Sequence, residues 1–488
     1  MIQPRLLTLK APLSVVYEVT PVCDYDCAFC YAAHSRQHSH PTLERVQAIL
    51  DQLAQAEVCR IIFMGGEFFL HPAWEEILAY ARQRGFCTSF ISNGSRLTEQ
   101  TCDRLRLYAQ AGAISLHGPE TIHDALTRRR GTFNKALKAM QACQHSGLRV
   151  SVLYTPTQDT YLHVWDTARA LAENGLLPDV LNISRLTPHG YALDCWSAIR
   201  LDLQNYLDIF SQAARIKKDF GMTVRVGDGF PKCQIPAEWR QFAGQCDAGV
   251  TLAAVGYQGD VKLCPNSPGS LGNLIHEPLG EIWRQAKPMG PLRELLWLPM
   301  PCRTCSSAPV CRSGCMVTQP NIEHFASDEI PPANHGLAGR KQCGQASHSS
   351  PPGDRATRVV AHRNPVIRPW FWPQYRMRED IPGTVIAMEN GGWFLVDDVG
   401  RAIIELCDGH HTLEELEHGV AAQLKTSPND VKERVNAMLD LLMRSGLCKE
   451  GNTEAAEALG PGHGCWERET AQQQEETWSP AGSFVSGT

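Results

Sequence analysis

The 488-residue sequence has no strong excess of either charge: 46 Lys and Arg face 52 Asp and Glu, a formal net charge of −6, with the signs interspersed. Nothing in that balance draws the chain to nucleic acid or to an anionic membrane surface. Long apolar runs are also missing, since none reaches the roughly 18 residues that a membrane span needs. The N-terminal MIQPRLLTLKAPLSVVYEVT lacks the charged-then-apolar layout of a secretion signal. The expectation is a soluble, cytoplasmic protein. What the chain has in plenty is cysteine, 19 in all. In a large chain without a signal these are not a secreted disulfide framework, and clustered thiols in a reducing compartment imply metal or catalysis. The length itself implies roughly two to four domains.

From residue 14 to about 190 short β-branched or apolar runs alternate with helical patterns. SVVYEVT, RIIFMGGE, TSFISNG, AISLHG, RVSVLYTPT and DVLNISRLTP read as six strands, and TLERVQAILDQLAQA and PAWEEILAYARQRG are typical of the helices between them. Parallel strands wound this way give an α/β fold, here a partial (βα)6 TIM-type barrel, with chemistry at the C-terminal strand ends. From about 230 to 343 the pattern breaks into Gly-, Pro- and Cys-rich pieces that metal sites would have to stabilise. The expected domains are 1–230, 231–343, a linker at 344–363, a small unit at 364–450 and a disordered polar tail at 451–488.

Directly after the first strand comes Cys23-Asp-Tyr-Asp-Cys27-Ala-Phe-Cys30. Three thiolates in such a loop can hold three irons of a [4Fe–4S] cube and leave the fourth open. A zinc site is the other reading, although zinc usually takes four ligands in a closed site. The C-x3-C-x2-C spacing just past the first strand resembles the radical S-adenosylmethionine (SAM) superfamily. That resemblance implies a 5′-deoxyadenosyl radical made from SAM, with Cys23, Cys27 and Cys30 holding the cluster. It assigns Gly65, Gly66 and Glu67 after the second strand to the ammonium of SAM, a natural partner for a carboxylate. It assigns Ser92, Asn93 and Ser115 to the ribose side, Phe29 to the adenine side, and Arg130 to the carboxylate. Arg128, Arg129 and Arg130 are consecutive, so the sequence does not choose among them, and a solvated basic helix start is the alternative. His117 and His189 stand at strand ends facing the expected pocket.

Cys246, Gly259, Cys264, Cys302, Cys305, Cys311, Cys315 and Cys343 follow in the spacing C-x12-G-x4-C, gap, C-x2-C-x5-C-x3-C, gap, C. This resembles the SPASM extension, an auxiliary-cluster module of radical SAM enzymes. It implies a distal cluster on Cys302, Cys305, Cys311 and Cys343 and a nearer one on Cys246, Cys264 and Cys315. The nearer set has three ligands, leaving either an open iron or a fourth ligand such as Cys233.

Residues 364 to 450 read as strands VIRPWF, TVIAMEN and GWFLVDD followed by three helices, the order of a winged helix. Thr412 and Glu415 form a capping box ahead of an apolar stripe at Leu413, Leu416, Val420 and Leu424. Lys432, Glu433, Arg434 and Asp440 on the last helix nearly balance, which argues against DNA. The run ENGGWFLVDDVGRAIIELCDGHHTLEELEHGVAAQL resembles the PqqD-like family, which binds leader peptides of ribosomally made, modified peptides. The resemblance places the leader as an added strand beside Trp393 to Asp397 and against the helix from Val431 to Arg444. Together the resemblances imply a peptide maturase using SAM and three Fe–S clusters, oxidatively forming thioether or C–C crosslinks. Its partners would be a precursor peptide and an electron donor such as flavodoxin or ferredoxin, with no nucleic acid and no membrane. A sulfatase-maturase-like oxidation of a protein Cys or Ser and a non-catalytic peptide scaffold are the alternatives.

Overall fold

The computed structural model describes residues 8–32, 39–109, 111–227, 229–267, 269–298, 300–315, 368–371, 375–380, 383–388, 393–407, 411–444, 448–451 and 483–484. Cys343, the expected linker and most of the expected tail lie outside these residues. By packing, the chain divides into two units, Met1–Ala346 and Ser347–Thr488.

The first unit is built on one sheet. Its parallel strands are β1 (Ser14–Thr20), β2 (Arg60–Gly65), β3 (Cys87–Ser92), β4 (Ala111–Ser115), β5 (Arg149–Tyr154), β6 (Leu181–Ile183) and β7 (Val224–Val226). These are followed by β8 (Leu252–Val255), β9 (Asp260–Lys262) and β10 (Gly272–Asn273), and the order across the sheet is β10-β9-β8-β1-β2-β3-β4-β5-β6-β7. The six expected strands are all present and parallel. The parallel run is longer than six, however. Val224–Val226 extends it past β6, and β8, from the cysteine-rich region, pairs parallel with β1 through Ser14↔Leu252 to Tyr17↔Val255. Helices α1 (Leu43–Gln55), α2 (Trp74–Gln83), α3 (Glu99–Leu105), α4 (Glu120–Leu126), α5 (Thr132–His145) and α6 (Val164–Glu173) connect the strands. They lay apolar faces such as Val46, Ile49, Leu50 and Leu53 of α1 on the sheet core.

The irregular region is thus anchored by backbone pairing to the first strand of the sheet. The β8–β9 hairpin turns through Gly256 and Gly259, whose N–H donates to the Gly256 carbonyl at 2.8 Å. Gly259 sits at φ +90°, where a side chain would be strained. The turn sends β9 back toward Cys264.

In the second unit β11 (Arg368–Phe371) pairs antiparallel with β15 (Cys448–Gly451). A meander of β12 (Tyr375–Asp380), β13 (Gly383–Met388) and β14 (Trp393–Val396) lies beside helices Asp398–Leu406, Leu413–Gln423 and Pro428–Arg444. Their shared core includes Ile386, Val396, Ile403, Leu416, Val435 and Leu439. The Thr412–Glu415 capping box forms as read. The sequence reading missed β12, because its charges suggest surface, whereas Arg378 and Asp380 are buried together as an ion pair at 2.5 Å. Within the polar tail, β16 (Ser483–Phe484) pairs parallel with β14.

Candidate active site

The cysteine loop leaves β1 at Thr20 and is held on three sides by backbone. On the β2 side, the N–H groups of Gly66 and Glu67 donate to the carbonyls of Thr20 and Val22 at 2.7 and 2.8 Å. A Cβ on Gly66 would lie 2.1 Å from the Val22 carbonyl oxygen, and one on Gly65 would lie 2.4 Å from that of Thr20. The two glycines are therefore required by the close approach of the loop itself. On the α4 side, Ala28 N–H donates to Leu126 O at 3.0 Å, and the Arg129 guanidinium donates to Asp24 O at 2.5 Å. On the β6 side, Tyr191 N–H donates to Cys30 O at 2.9 Å, and Gly190 leaves room for that carbonyl.

Cys23, Cys27 and Cys30 line one cavity of about 420 Å³ together with Phe29, Gly65, Gly66, Ser92, Asn93, Ser115 and His117. Burial pushes the Cys23 thiol up to about 12 and the Cys27 thiol well above its ordinary value, the neighbouring thiols adding to both. Buried thiols of this kind become thiolates only against a bound cation, so cluster binding would release their protons. Among the described residues no three His, Cys, Asp or Glu side chains converge on one ion. A cube does not ask for that, because each thiolate takes a different iron.

Glu67 is buried behind the cavity wall and caps the turn Phe68–Leu70. Its Oε1 accepts from Phe69 N–H at 3.2 Å and from Ser92 Oγ at 2.9 Å, and its Oε2 accepts from Asn93 N–H at 2.7 Å. Burial raises its carboxyl to about 7, against the pull of those three bonds. A carboxylate has about four acceptor sites, so one remains for a further donor. Asn93 reaches the cysteine loop as well, its Nδ2 donating to Asp24 Oδ1 at 2.9 Å.

Arg130 is exposed and does not line the cavity. Its neighbours Arg128 and Arg129 face the cysteine loop, through Asp26 at 3.4 Å and Asp24 O respectively, and neither lines the cavity. Among the described residues, the one Lys or Arg lining the cavity is Arg185, just past β6, which the sequence reading does not single out. It lies 4.7 Å over the Phe230 ring, and its Nη1 donates to Gly229 O at 3.1 Å. His117 lines the cavity, as does His123 of α4, while His189 does not.

The nearer auxiliary cysteines, Cys246, Cys264 and Cys315, line the same cavity as the radical-site loop. Burial, then the proximity of Cys315, raises the Cys246 thiol to about 12. Cys302, Cys305 and Cys311 lie away from the cavity. The N–H of Lys232 donates to Cys311 Sγ at 3.4 Å, and the adjacent Cys233 is exposed. Two sets of three thiols facing one cavity, Cys315 buried and the other five partly buried, with one set beside a carboxylate that has a spare acceptor site, suit two clusters with SAM between them.

Comparison with known proteins agrees. The model of the radical SAM superfamily matches residues 17–184, and that of the iron–sulfur cluster-binding domain SPASM matches 246–306. The chain carries a radical SAM domain. In its second unit, residues 383–447 match the model of coenzyme PQQ synthesis protein D, PqqD. The mycofactocin maturase MftC of Mycobacterium tuberculosis is 26% identical over 333 residues, 65% of this chain and 82% of that protein. The antilisterial bacteriocin subtilosin biosynthesis protein AlbA of Bacillus subtilis is 24% identical, covering 59% of this chain and 61% of that protein. Streptococcus suis SuiB, solved bound to its precursor peptide SuiA, shares the fold with a TM-score of 0.52 at 17% identity, over 64% of this chain and 73% of that one. Among the described residues no helix is long and apolar enough to cross a membrane.

Proposed function

We propose that this enzyme is a cytoplasmic maturase that oxidatively crosslinks a ribosomally made precursor peptide bound through its PqqD-like unit. The observation that carries the reading is the single cavity shared by Cys23, Cys27 and Cys30 with Cys246, Cys264 and Cys315. The PqqD match and the names of the relatives support the same substrate class.

When bound, the cluster and SAM supply reductive cleavage of SAM and a 5′-deoxyadenosyl radical that removes a hydrogen atom from carbon. The chain's own part is positional. Cys23, Cys27 and Cys30 would hold the first cluster, which a flavodoxin- or ferredoxin-like donor would supply with electrons. Glu67 takes the ammonium of SAM, with Ser92 and Asn93 holding its carboxylate in place. Cys246, Cys264 and Cys315 would hold the nearer auxiliary cluster, which would supply an electron acceptor at the cavity they line. Cys302, Cys305, Cys311 and Cys343 hold the distal one. The domain bounds 1–230, 231–343, 364–450 and 451–488 belong to this reading.

The test is anaerobic incubation of reduced, reconstituted enzyme with SAM and candidate precursor peptides drawn from short reading frames beside its gene. Mass spectrometry should find the core peptide lighter by one hydrogen pair, with 5′-deoxyadenosine formed alongside. Iron should be about twelve per chain for three four-iron cubes, and about eight after Cys23, Cys27 and Cys30 are replaced by Ala. Uncoupled 5′-deoxyadenosine with an unchanged peptide mass would reject the peptide assignment.

A further inference from the structure

The turn 311–315 joins the two auxiliary cysteine sets, since Cys311 lies away from the cavity and Cys315 lines it. Its three inner residues all stand in the left-handed region, Arg312 at φ +50°, Ser313 at φ +55° and Gly314 at φ +93°. For a residue with a side chain that conformation is costly, and it persists only where the surroundings fix it. Here they do. Arg312 N–H donates to Ala308 O and Gly314 N–H to Cys311 O, both at 3.0 Å. A Cβ on Gly314 would lie 2.9 Å from Pro231 Cδ and 3.2 Å from Gly229 O, so the turn is pressed against the segment 229–231. The shape so fixed carries the Arg312 side chain back to the nearer set, where its Nη1 donates to the Cys246 carbonyl.

Arg312 is 5% exposed and does not line the cavity, so it is not placed to touch a ligand there. Burial pulls its guanidinium down from the ordinary arginine value, and the groups that oppose this are Cys246 and then Asp247. Asp247 is faced in turn by Arg312 and by Arg225 of β7. A fixed charge in a buried site is screened far less than one in water. A thiolate-bound cluster that takes up an electron becomes more negative, and net charge and hydrogen bonding around it are among the properties that set its potential. A cation held at Cys246 therefore favours the reduced state.

We propose that Arg312 acts through Cys246 as a fixed cation that makes the nearer auxiliary cluster a readier electron acceptor. The proposal rests on the reading that Cys246, Cys264 and Cys315 hold that cluster, and it adds a positioning residue that sets how readily an electron is accepted there.

Anaerobic redox titration followed by electron paramagnetic resonance tests it without SAM, peptide or turnover. In the full reconstituted chain, replacing Cys23, Cys27 and Cys30 by Ala leaves the auxiliary clusters alone to report. Cys264→Ser in that parent protein alters a ligand of the nearer cluster only and so marks its step. R312Q should make reduction at that step about tenfold less favourable, about 59 mV downward for one electron, with the other auxiliary step moving less. R312M, which keeps an apolar stem, should match R312Q, and R312K, which keeps a cation, should recover at least half of the shift. Iron should stay at about eight per chain in all three. An unmoved step in both R312Q and R312M would overturn the proposal, and equal shifts in R312K and R312Q would do the same by making the effect one of packing. So would loss of the nearer cluster's iron in R312Q and R312M with retention in R312K, because the charge would then serve assembly and not electron acceptance. If Cys264→Ser changes no signal in the parent protein, the reading of the nearer set as a cluster site fails instead.

Discussion

The backbone N–H of Asn93 donates to Oε2 of Glu67 across 2.7 Å, tying the turn after β3 to the turn after β2. With Ser92 on the other oxygen, the carboxylate is held before any ligand arrives. Its burial raises its carboxyl to about 7, above the ordinary carboxylate range. In the ligand-free protein this group therefore favours the folded state at low pH, and the contribution fades as pH rises through about 7. The ammonium of SAM needs the ionised form. SAM affinity should thus rise between pH 6 and pH 8, and SAM should raise the melting temperature more at pH 8 than at pH 6. Glu67→Gln should flatten that dependence and weaken SAM on the order of tenfold to a hundredfold, the range of a charge-assisted bond worth about 1.5–3 kcal/mol. A pH-independent wild-type affinity would move the ammonium contact elsewhere.

A second prediction separates close approach from backbone freedom. In Gly66→Ala the new methyl meets the Val22 carbonyl at 2.1 Å, and backbone cannot move aside as a flexible side chain would. The cysteine loop should be displaced, with cluster incorporation lost and a destabilisation of about 3 kcal/mol or more. Gly131→Ala is the control. Gly131 sits at φ +77° with nothing within 4 Å of the added Cβ, so the cost should be only the left-handed strain, about 1–2 kcal/mol, with iron content unchanged. Iron analysis and thermal unfolding of the two variants decide the matter.

These contrasts show why some of the molecule was legible in the sequence and some was not. The Cys23–Cys30 spacing and the β-branched runs of the first six strands carry local signals, and both could be read without the fold. Val224–Val226 is too short to show a period, and the pairing of β8 with β1 joins Ser14 to Leu252 across an interval that no local pattern spans. Tyr375–Asp380 shows no apolar alternation because four of its six residues are charged, and Arg378 and Asp380 are buried together as an ion pair. Gly65 and Gly66 line the cavity and also meet the neighbouring loop, and the second contact has no local signal.

In the second unit, the edge of β14 expected to receive the leader carries Ser483–Phe484 as a parallel partner. So short a pairing makes few bonds, each worth about 0.5–1.5 kcal/mol net. A chain ending at Pro480 should therefore bind the leader more tightly, by up to about tenfold, in fluorescence anisotropy with a labelled leader peptide. Weaker binding after the deletion would mean that these residues belong to the leader site rather than compete for it.

The last prediction concerns the division of labour between the two units. Cys23, Cys27, Cys30, Glu67 and the cavity they form all belong to Met1–Ala346, and each unit has its own apolar core. A chain ended at Ala346 should therefore bind SAM and cleave it slowly without peptide. It should fail on the full precursor, because the leader has lost its docking strand. Adding the second unit as a separate polypeptide should restore part of the activity, and less than the intact chain shows, since covalent tethering raises the effective concentration above micromolar. The comparison is the initial rate of peptide modification at matched micromolar concentrations. Full-rate modification by the shortened chain would mean that the first unit recognises its substrate alone. A sulfatase-maturase type of reaction on a protein Cys or Ser would then be the better reading.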